Sequence, residues 1–167
     1  MFLLAHTGIT LGAVWLIGHL DKGADLKNAL PLAVLGGNLP DLIDKPIGIF
    51  APGLGLGTGR GIAHTLAFNL ALLALGLLVA AFGGVGLLYV AVASIGHLIL
   101  DYMWRLPRVL FWPLYGFAFP RVGRRGFIAQ VRSWWHTLWT EPRVFLTEVV
   151  GTVFIVAYVL QVYRAWV

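Results

Sequence analysis

The sequence predicts an all-α integral membrane protein, with four core helices in a polytopic bundle, one of them broken or short, an interfacial segment and a C-terminal span. Apolar residues make up 59% of the 167 residues, charged residues only 11%, and the mean hydropathy is +0.86. Soluble domains carry about 25% charged residues. Because a span needs about 20 residues, the chain has room for four or five. Cysteine is absent, so any metal would be held by His, Asp and Glu.

The sequence predicts a helix bundle at residues 1–104, which is followed by the rest of the chain. Residues 2–20 predict a retained first span, since they lack the basic start and small-residue cleavage site of a secretory signal. Residues 29–37 are apolar but too short to cross alone, and the prolines around them predict a broken or tilted helix that ends at 38–46. Residues 51–61 are rich in glycine but match no nucleotide-binding pattern, which favours a lid or linker.

The later elements comprise two apolar spans, a basic segment and a final span. Spans 3 and 4 are predicted at 62–82 and 87–104. Residues 105–143 interleave arginine with tryptophan, a mixture typical of the membrane interface, with nucleic-acid binding as the competing interpretation. The C-terminal segment 144–167 contains the last predicted span, at about 144–162.

Histidine and aspartate residues recur at the ends of these predicted spans. His97 and Asp101 are four residues apart and would share one face of a helix, although an interfacial aspartate beside a packed histidine explains the pair equally well. If the spans alternate in direction, the same side of the bilayer also holds His6, Asp41 with Asp44, and His64. A cysteine-free set of this kind in a helix bundle suits zinc, manganese or iron. A buried polar network without metal is the alternative.

The lysine and arginine distribution predicts an orientation in the membrane. Nine of these 12 residues lie on the side of the polar cluster and three on the other side. By the positive-inside rule, the cluster and the N-terminus of an inner-membrane protein would face the cytoplasm. This prediction depends on the second segment crossing the membrane.

Four motifs, taken in order, carry a family resemblance: LPDLID at 39–44, RGIAHTL at 60–66, GHLILD at 96–101 and LFWPL at 110–114. Together they resemble the membrane-bound metal-dependent hydrolase family, whose members are also described as YdjM-like, LexA-binding and inner-membrane-associated. That family is distantly similar to zinc-dependent phospholipase C and single-strand nuclease folds. The resemblance therefore implies a helical site with two or three zinc ions and phosphoester hydrolysis.

The resemblance also implies roles for individual residues. The sequence departs from the family pattern at the first of these motifs. An extra residue separates its two carboxylates, and Lys45 stands at a position where the family often has a histidine. Asp44 is therefore a candidate ligand, orienting residue or base. The remaining implied metal ligands are His6, Asp41, His64, His97 and Asp101.

The resulting hypothesis is a membrane hydrolase that cleaves a phosphoester of a phospholipid or lipid-linked substrate with metal-activated water. Arg60, four residues before His64, is the candidate phosphate clamp, and a positive-inside charge at a helix start explains it equally well. We expect a membrane lipid as substrate and no nucleic acid, and the sequence identifies no protein partner. The alternatives are an ion- or proton-coupled transporter and a membrane-anchored regulatory module.

Overall fold

The computed structural model describes residues 3–20, 26–50, 59–119 and 127–166, and these residues form helices and turns with no strand among them. The all-α prediction is therefore confirmed. Part of the glycine-rich loop (51–58) and part of the basic segment (120–126) lie outside the described residues. Short 3-10 helices lie at Ile62–His64 and Met103–Arg105, and the α-helices are α1 (Leu3–Leu20), α2 (Leu26–Phe50), α3 (Leu66–Ala81), α4 (Gly86–Leu100), α5 (Pro107–Leu110), α6 (Phe127–Thr140) and α7 (Pro142–Trp166).

One described helix is long and apolar enough to cross a membrane, at Pro142–Arg164 in α7. Three shorter apolar helices lie at Leu3–Ile17, Leu66–Ala81 and Gly86–Leu100. A helix of 15 or 16 residues is about 24 Å long, whereas the hydrocarbon core of a bilayer is about 30 Å thick. The C-terminal span thus has a matching helix, and the polytopic arrangement stays a prediction.

The second helix differs from the broken segment that the prolines predict. α2 is a continuous helix of 25 residues with Pro31, Pro40 and Pro46 inside it. Each proline removes one backbone N–H from the helical ladder, which costs stability in an isolated helix. Here α2 packs against both α1 and α4, and tertiary packing offsets the lost bonds because it supplies most of the stability of helices in proteins.

Helices α1 and α7 approach each other closely through glycine. A Cβ atom at Gly8 would collide with the backbone of Gly151, and one at Gly151 would collide with the backbone of Leu4. Small residues at such crossings let two helix backbones come into contact. The buried Glu148 of α7 also accepts a hydrogen bond from the backbone N–H of Ala5, at 3.1 Å. This carboxylate satisfies a donor in the first turn of α1, where helical N–H groups lack intrahelical partners.

The crossing of α2 and α4 also depends on a glycine. A Cβ atom at Gly36 would collide with the carbonyl oxygen of Val90 in α4. Gly96, also in α4, has nothing within 4 Å of such an atom. The two positions therefore distinguish a packing glycine from one that only lowers helix propensity.

We expect Gly36→Ala to lower the free energy of unfolding by about 1–3 kcal/mol, because the new methyl group must push α4 away. The matched control Gly96→Ala should raise it by about 0.5–1 kcal/mol, since alanine restricts the unfolded chain without a clash. Thermal unfolding in detergent micelles measures both changes. Equal effects of the two substitutions would contradict the close crossing.

Candidate metal centre

The six predicted metal-site residues lie on α1, α2, the 3-10 helix Ile62–His64 and the C-terminal end of α4, and they meet in one largely buried polar centre. Two groupings have ligand atoms within 4.8 Å of one another: His6, Asp41 and His97, and His64, His97 and Asp101. The side chain of Asp44 contacts His64. The three histidines and Asp44 are fully buried, and Asp41 is 7% exposed. The centre thus combines imidazole and carboxylate groups that could hold a metal ion.

The carboxylate of Asp44 organises the turn that carries His64. Its Oδ2 accepts hydrogen bonds from the backbone N–H groups of Gly61 (2.8 Å) and His64 (3.1 Å), and its Oδ1 accepts from that of Ala63 (3.2 Å). The Nδ1–H of His64 also donates to Oδ2, at 2.7 Å. With four donors on its two oxygens, Asp44 is better suited to orient His64 than to bind a metal, which favours one of the three roles that the sequence left open.

The predicted span 62–82 includes His64 in its first turn, but in the structure His64 lies in the 3-10 helix that precedes α3. The reason is Thr65, whose backbone is extended and whose hydroxyl accepts from the N–H of Phe68 at 3.1 Å. Thr65 is therefore the N-cap of α3. The cap separates the helix from the turn, so His64 is positioned by Asp44 rather than by the helical repeat.

The rings of His64 and His97 present unprotonated nitrogens to each other. Nδ1 of His97 is 2.8 Å from the carbonyl oxygen of Gly37, and since a carbonyl only accepts, this nitrogen must be the donor. Nδ1 of His64 likewise donates to Asp44. In the neutral rings both Nε2 atoms then carry lone pairs, and they lie 3.3 Å apart. Two lone pairs at this distance repel unless a cation lies between them.

Asp41 completes a triangle with these two nitrogens. Its Oδ1 lies 3.6 Å from Nε2 of His64 and 3.9 Å from Nε2 of His97. Ligands of a tetrahedral zinc ion, each about 2.0–2.1 Å from the metal, lie about 3.3–3.4 Å apart. The other oxygen, Oδ2, accepts from Nζ of Lys45 at 2.5 Å. The triangle is thus close to the spacing that a tetrahedral ion requires.

His6 and Asp101 form the other side of the centre. The ring of His6 stacks on that of His97 with centroids 4.0 Å apart, and its Nε2 lies 3.3 Å from Oδ1 of Asp101. Oδ2 of Asp101 accepts from both Nε (3.0 Å) and Nη2 (2.8 Å) of Arg60. An ionised carboxylate makes Nε2 of His6 the donor, so the lone pair is on Nδ1, which is buried and has no hydrogen-bond partner among the described residues.

Arg60 was predicted as a phosphate clamp or a positive-inside charge. In the structure its guanidinium binds Asp101, and its side chain is 36% exposed. This contact gives Arg60 a role in positioning Asp101, and substrate binding by Arg60 stays a prediction. His136 lies on α6 and is exposed. His19 lies in α1, but its side chain is outside the described part of the chain.

Sequence reasoning missed a second polar network that supports the turn around His64. Nδ2 of Asn69 donates to the carbonyl oxygens of Ala63 (2.9 Å) and Thr65 (2.8 Å), and Oδ1 accepts from the hydroxyl of Ser94 at 2.6 Å. Asn69 and Ser94 are fully buried. Asn69 is the one strongly polar residue within the apolar sequence of α3, and that isolation is the signal that could have identified it.

A family model described as YdjM inner membrane protein matches residues 1–167 of the chain. Searches of curated proteins and of solved structures found no match. The family description concerns location in the inner membrane and mentions neither metal nor hydrolysis.

We expect Asn69→Ala to lower the free energy of unfolding by about 2–3 kcal/mol, because it removes two buried hydrogen bonds to the turn and leaves the Ser94 hydroxyl without its acceptor. Ser94→Ala, which removes a single bond of the same network, should cost about 1 kcal/mol. Thermal unfolding of metal-free protein in detergent micelles provides the measurement. An Asn69→Ala protein as stable as the wild type would refute the supporting role.

Proposed function

This chain belongs to the YdjM inner membrane protein family, and we propose that it is a metal-dependent hydrolase that cleaves a phosphoester of a phospholipid or lipid-linked substrate. The proposal has two parts, a divalent metal centre and a hydrolytic reaction. The metal centre rests on the contacts of the buried histidines. The reaction rests on the chemistry that such a centre provides beside a membrane.

The observation that carries the metal centre is the 3.3 Å separation of the two Nε2 atoms of His64 and His97. Both rings use Nδ1 as a donor to a fixed acceptor, so rotation or a change of tautomer would break a buried hydrogen bond. A cation between the nitrogens removes the repulsion. The nearby Oδ1 of Asp41 adds a negative ligand, which favours a metal ion over a second hydrogen-bond donor.

The donor set favours zinc, with manganese and iron as the other suitable metals. His64, His97 and Asp41 would hold the ion, and the partnerless Nδ1 of His6 suits the same ion or a second one. When bound, such an ion supplies a Lewis acid that activates water and polarises a phosphoester. Asp44 and the carbonyl of Gly37 orient the two ligand rings from behind, as carboxylates and carbonyls do in many metal sites.

The protein residues around the ion have distinct tasks in this proposal. Arg60 keeps Asp101 ionised and directed toward His6 through two charge-assisted hydrogen bonds. Lys45 neutralises the outer oxygen of Asp41 while the inner oxygen faces the histidines. The burial of the three rings excludes bulk water from one side of the centre, which strengthens electrostatic interactions there.

We expect protein purified without chelator to contain bound zinc or another divalent metal, and we expect His64→Ala and His97→Ala to lose most of it, because each variant removes one nitrogen of the facing pair. His136→Ala is the matched control, since His136 is exposed on α6, and it should keep the full complement. Elemental analysis of the purified proteins measures the content.

A wild-type protein free of metal would refute the metal centre, and so would full metal content in both site variants. If no metal is bound, a proton shared by His64 and His97 would be the cation between the two Nε2 atoms. Nitrogen NMR of the labelled rings would detect that proton directly.

We expect Asp44→Asn to weaken metal binding by about 10–100-fold without abolishing it, because loss of an orienting carboxylate behind a ligand histidine typically has this effect. Asp41→Asn, which changes a proposed ligand, should weaken binding more. Competition with a fluorescent chelator gives both affinities. If the Asp44 variant bound metal as tightly as the wild type, the orienting role would be excluded.

We expect the metal-loaded protein in mixed micelles to hydrolyse a member of a panel of phospholipids and soluble phosphoesters. Chelator treatment and His97→Ala should each lower the rate by at least about 100-fold, since metal-activated water supplies several kcal/mol of transition-state stabilisation. Product release is followed by mass spectrometry. A fully metal-loaded protein that cleaves no phosphoester of the panel would count against the hydrolase and leave the metal centre standing.

A further inference from the structure

Lys45 lies at the edge of the polar centre with hydrogen-bonding capacity that the described contacts do not use. Its Nζ donates to Oδ2 of Asp41, and its side chain is 35% exposed. An ammonium group has three N–H donors, and among the described residues one of them has an acceptor. A partly exposed cation with two further donors can bind an anion that comes from outside the centre.

Arg60, the second cationic side chain among the described residues beside the centre, is less suited to this task. Its Nε and Nη2 both donate to the same oxygen of Asp101. Arginine binds phosphate best with two parallel N–H groups, and Arg60 already uses such a pair on the carboxylate. An incoming anion would have to compete with Asp101 at Arg60, whereas at Lys45 it would add to the existing contact.

Asp41 connects Lys45 to the proposed metal ligands. One carboxylate oxygen accepts from Lys45, and the other lies 3.6 Å and 3.9 Å from the Nε2 atoms of His64 and His97. A group bound to the lysine is therefore separated from the histidine pair by the width of one carboxylate. This places an anion site directly next to the centre.

Trp134 of α6 lies near the ammonium group of Lys45. Nζ of Lys45 lies 6.0 Å from the centroid of the Trp134 ring, within the range in which an aromatic face attracts a cation. The contact links Lys45 to α6. The ring restricts the ammonium group to the rim of the centre without using any of its N–H donors.

An adjacent face of α6 carries exposed apolar side chains. They recur at the spacing of helix turns and so form one stripe, which we call the α6 stripe, made of Ile128 (82% exposed), Val131 (42%), Trp135 (63%) and Trp139 (61%). The exposed Arg132 lies beside it, and α6 is separated by one residue from α7, the candidate span. Tryptophan and arginine on a helix next to a span are typical of the headgroup region, where basic side chains meet anionic lipids.

We propose that Lys45 binds the phosphate of an anionic phospholipid headgroup at the edge of the polar centre. In this arrangement Trp134 restricts the ammonium group, and the α6 stripe contacts the acyl region of the lipid. The inference deepens the proposed function, because it names the class of lipid that the site takes. It rests on the proposed function for hydrolysis but not for binding. A point-like ammonium with free donors suits a phosphate oxygen, and the adjacent α6 stripe favours a lipid over a soluble phosphate.

The experiment measures binding of a fluorescent phosphatidylglycerol to the full-length protein in mixed micelles. Lys45→Gln should raise the Kd by about tenfold, the effect of one lost charge-assisted hydrogen bond, and Lys45→Arg should restore it to within about threefold of the wild type. Arg143→Gln is the charge-matched control, because Arg143 is exposed in the first turn of α7, and it should leave the Kd unchanged.

Trp134 provides a second, independent pair of variants. Trp134→Ala should raise the Kd about threefold, since the ammonium group loses the aromatic face that restricts it. Trp134→Phe keeps an aromatic face and should bind nearly as the wild type does. Equal binding by the alanine variant would refute the part of the proposal that concerns Trp134.

Competitors identify the source of the phosphate. Unlabelled phosphatidylglycerol should displace the probe, whereas phosphatidylcholine of the same chain length and inorganic phosphate should do so only at about tenfold higher concentration or more. Equal competition by inorganic phosphate would replace the lipid site with a soluble-phosphate site, and equal competition by phosphatidylcholine would remove the preference for anionic lipid. Unchanged binding by Lys45→Gln, or an equal loss in Arg143→Gln, would overturn the assignment to Lys45.

Metal analysis of the same samples separates this inference from the proposed function. Lys45→Gln should keep most of its metal, because the glutamine amide can still donate a hydrogen bond to the outer oxygen of Asp41. Lysine-dependent lipid binding by a metal-free wild type would support the lipid site and refute the hydrolase. A metal-loaded protein whose lipid binding does not depend on Lys45 would refute the lipid site and leave the proposed function standing.

Discussion

The buried carboxylate of Asp44 is the contact on which the polar centre depends. Gly61 precedes the 3-10 helix Ile62–His64 and has no side chain to cap it, so the backbone N–H groups of this turn need an acceptor from elsewhere. Asp44 of α2 supplies that acceptor and at the same time receives the Nδ1–H of His64. One side chain therefore joins α2 to the entrance of α3 and selects the tautomer of a proposed ligand. Asn69 and Ser94 support the same turn from α3 and α4.

The position of His6 depends on contacts far from the polar centre. α1 is held against α7 by the crossing at Gly8 and Gly151 and by the hydrogen bond from Ala5 to Glu148. Ala5 directly precedes His6, so the helix that is long and apolar enough to cross a membrane also fixes the histidine that stacks on His97. The candidate span is thus packed against the element that supplies one wall of the centre. This packing gives α7 a structural role for the site.

The sequence predicted the helical class and the residues of the centre better than the contacts among them. Residue type and spacing identify His97 and Asp101 as neighbours on one face, but not that the first reaches Gly37 and the second reaches Arg60. The continuity of α2 through Pro40 could not be predicted, because the compensating packing comes from other helices. Asn69 was overlooked because hydropathy averages over the apolar residues around it. These features depend on tertiary contacts, which a local pattern does not contain.

The charge of the centre bears on what it can bind. Three carboxylates, those of Asp41, Asp44 and Asp101, are balanced by the side-chain cations Lys45 and Arg60 and by the N-terminal amine, which acts on Asp101. A shared proton between His64 and His97 would add one positive charge to this balance. A divalent metal would add two, and a positive charge in a buried site is costly unless it is paired. A phosphate group would provide that pairing, so a metal in the proposed centre would favour a phosphoester as its ligand.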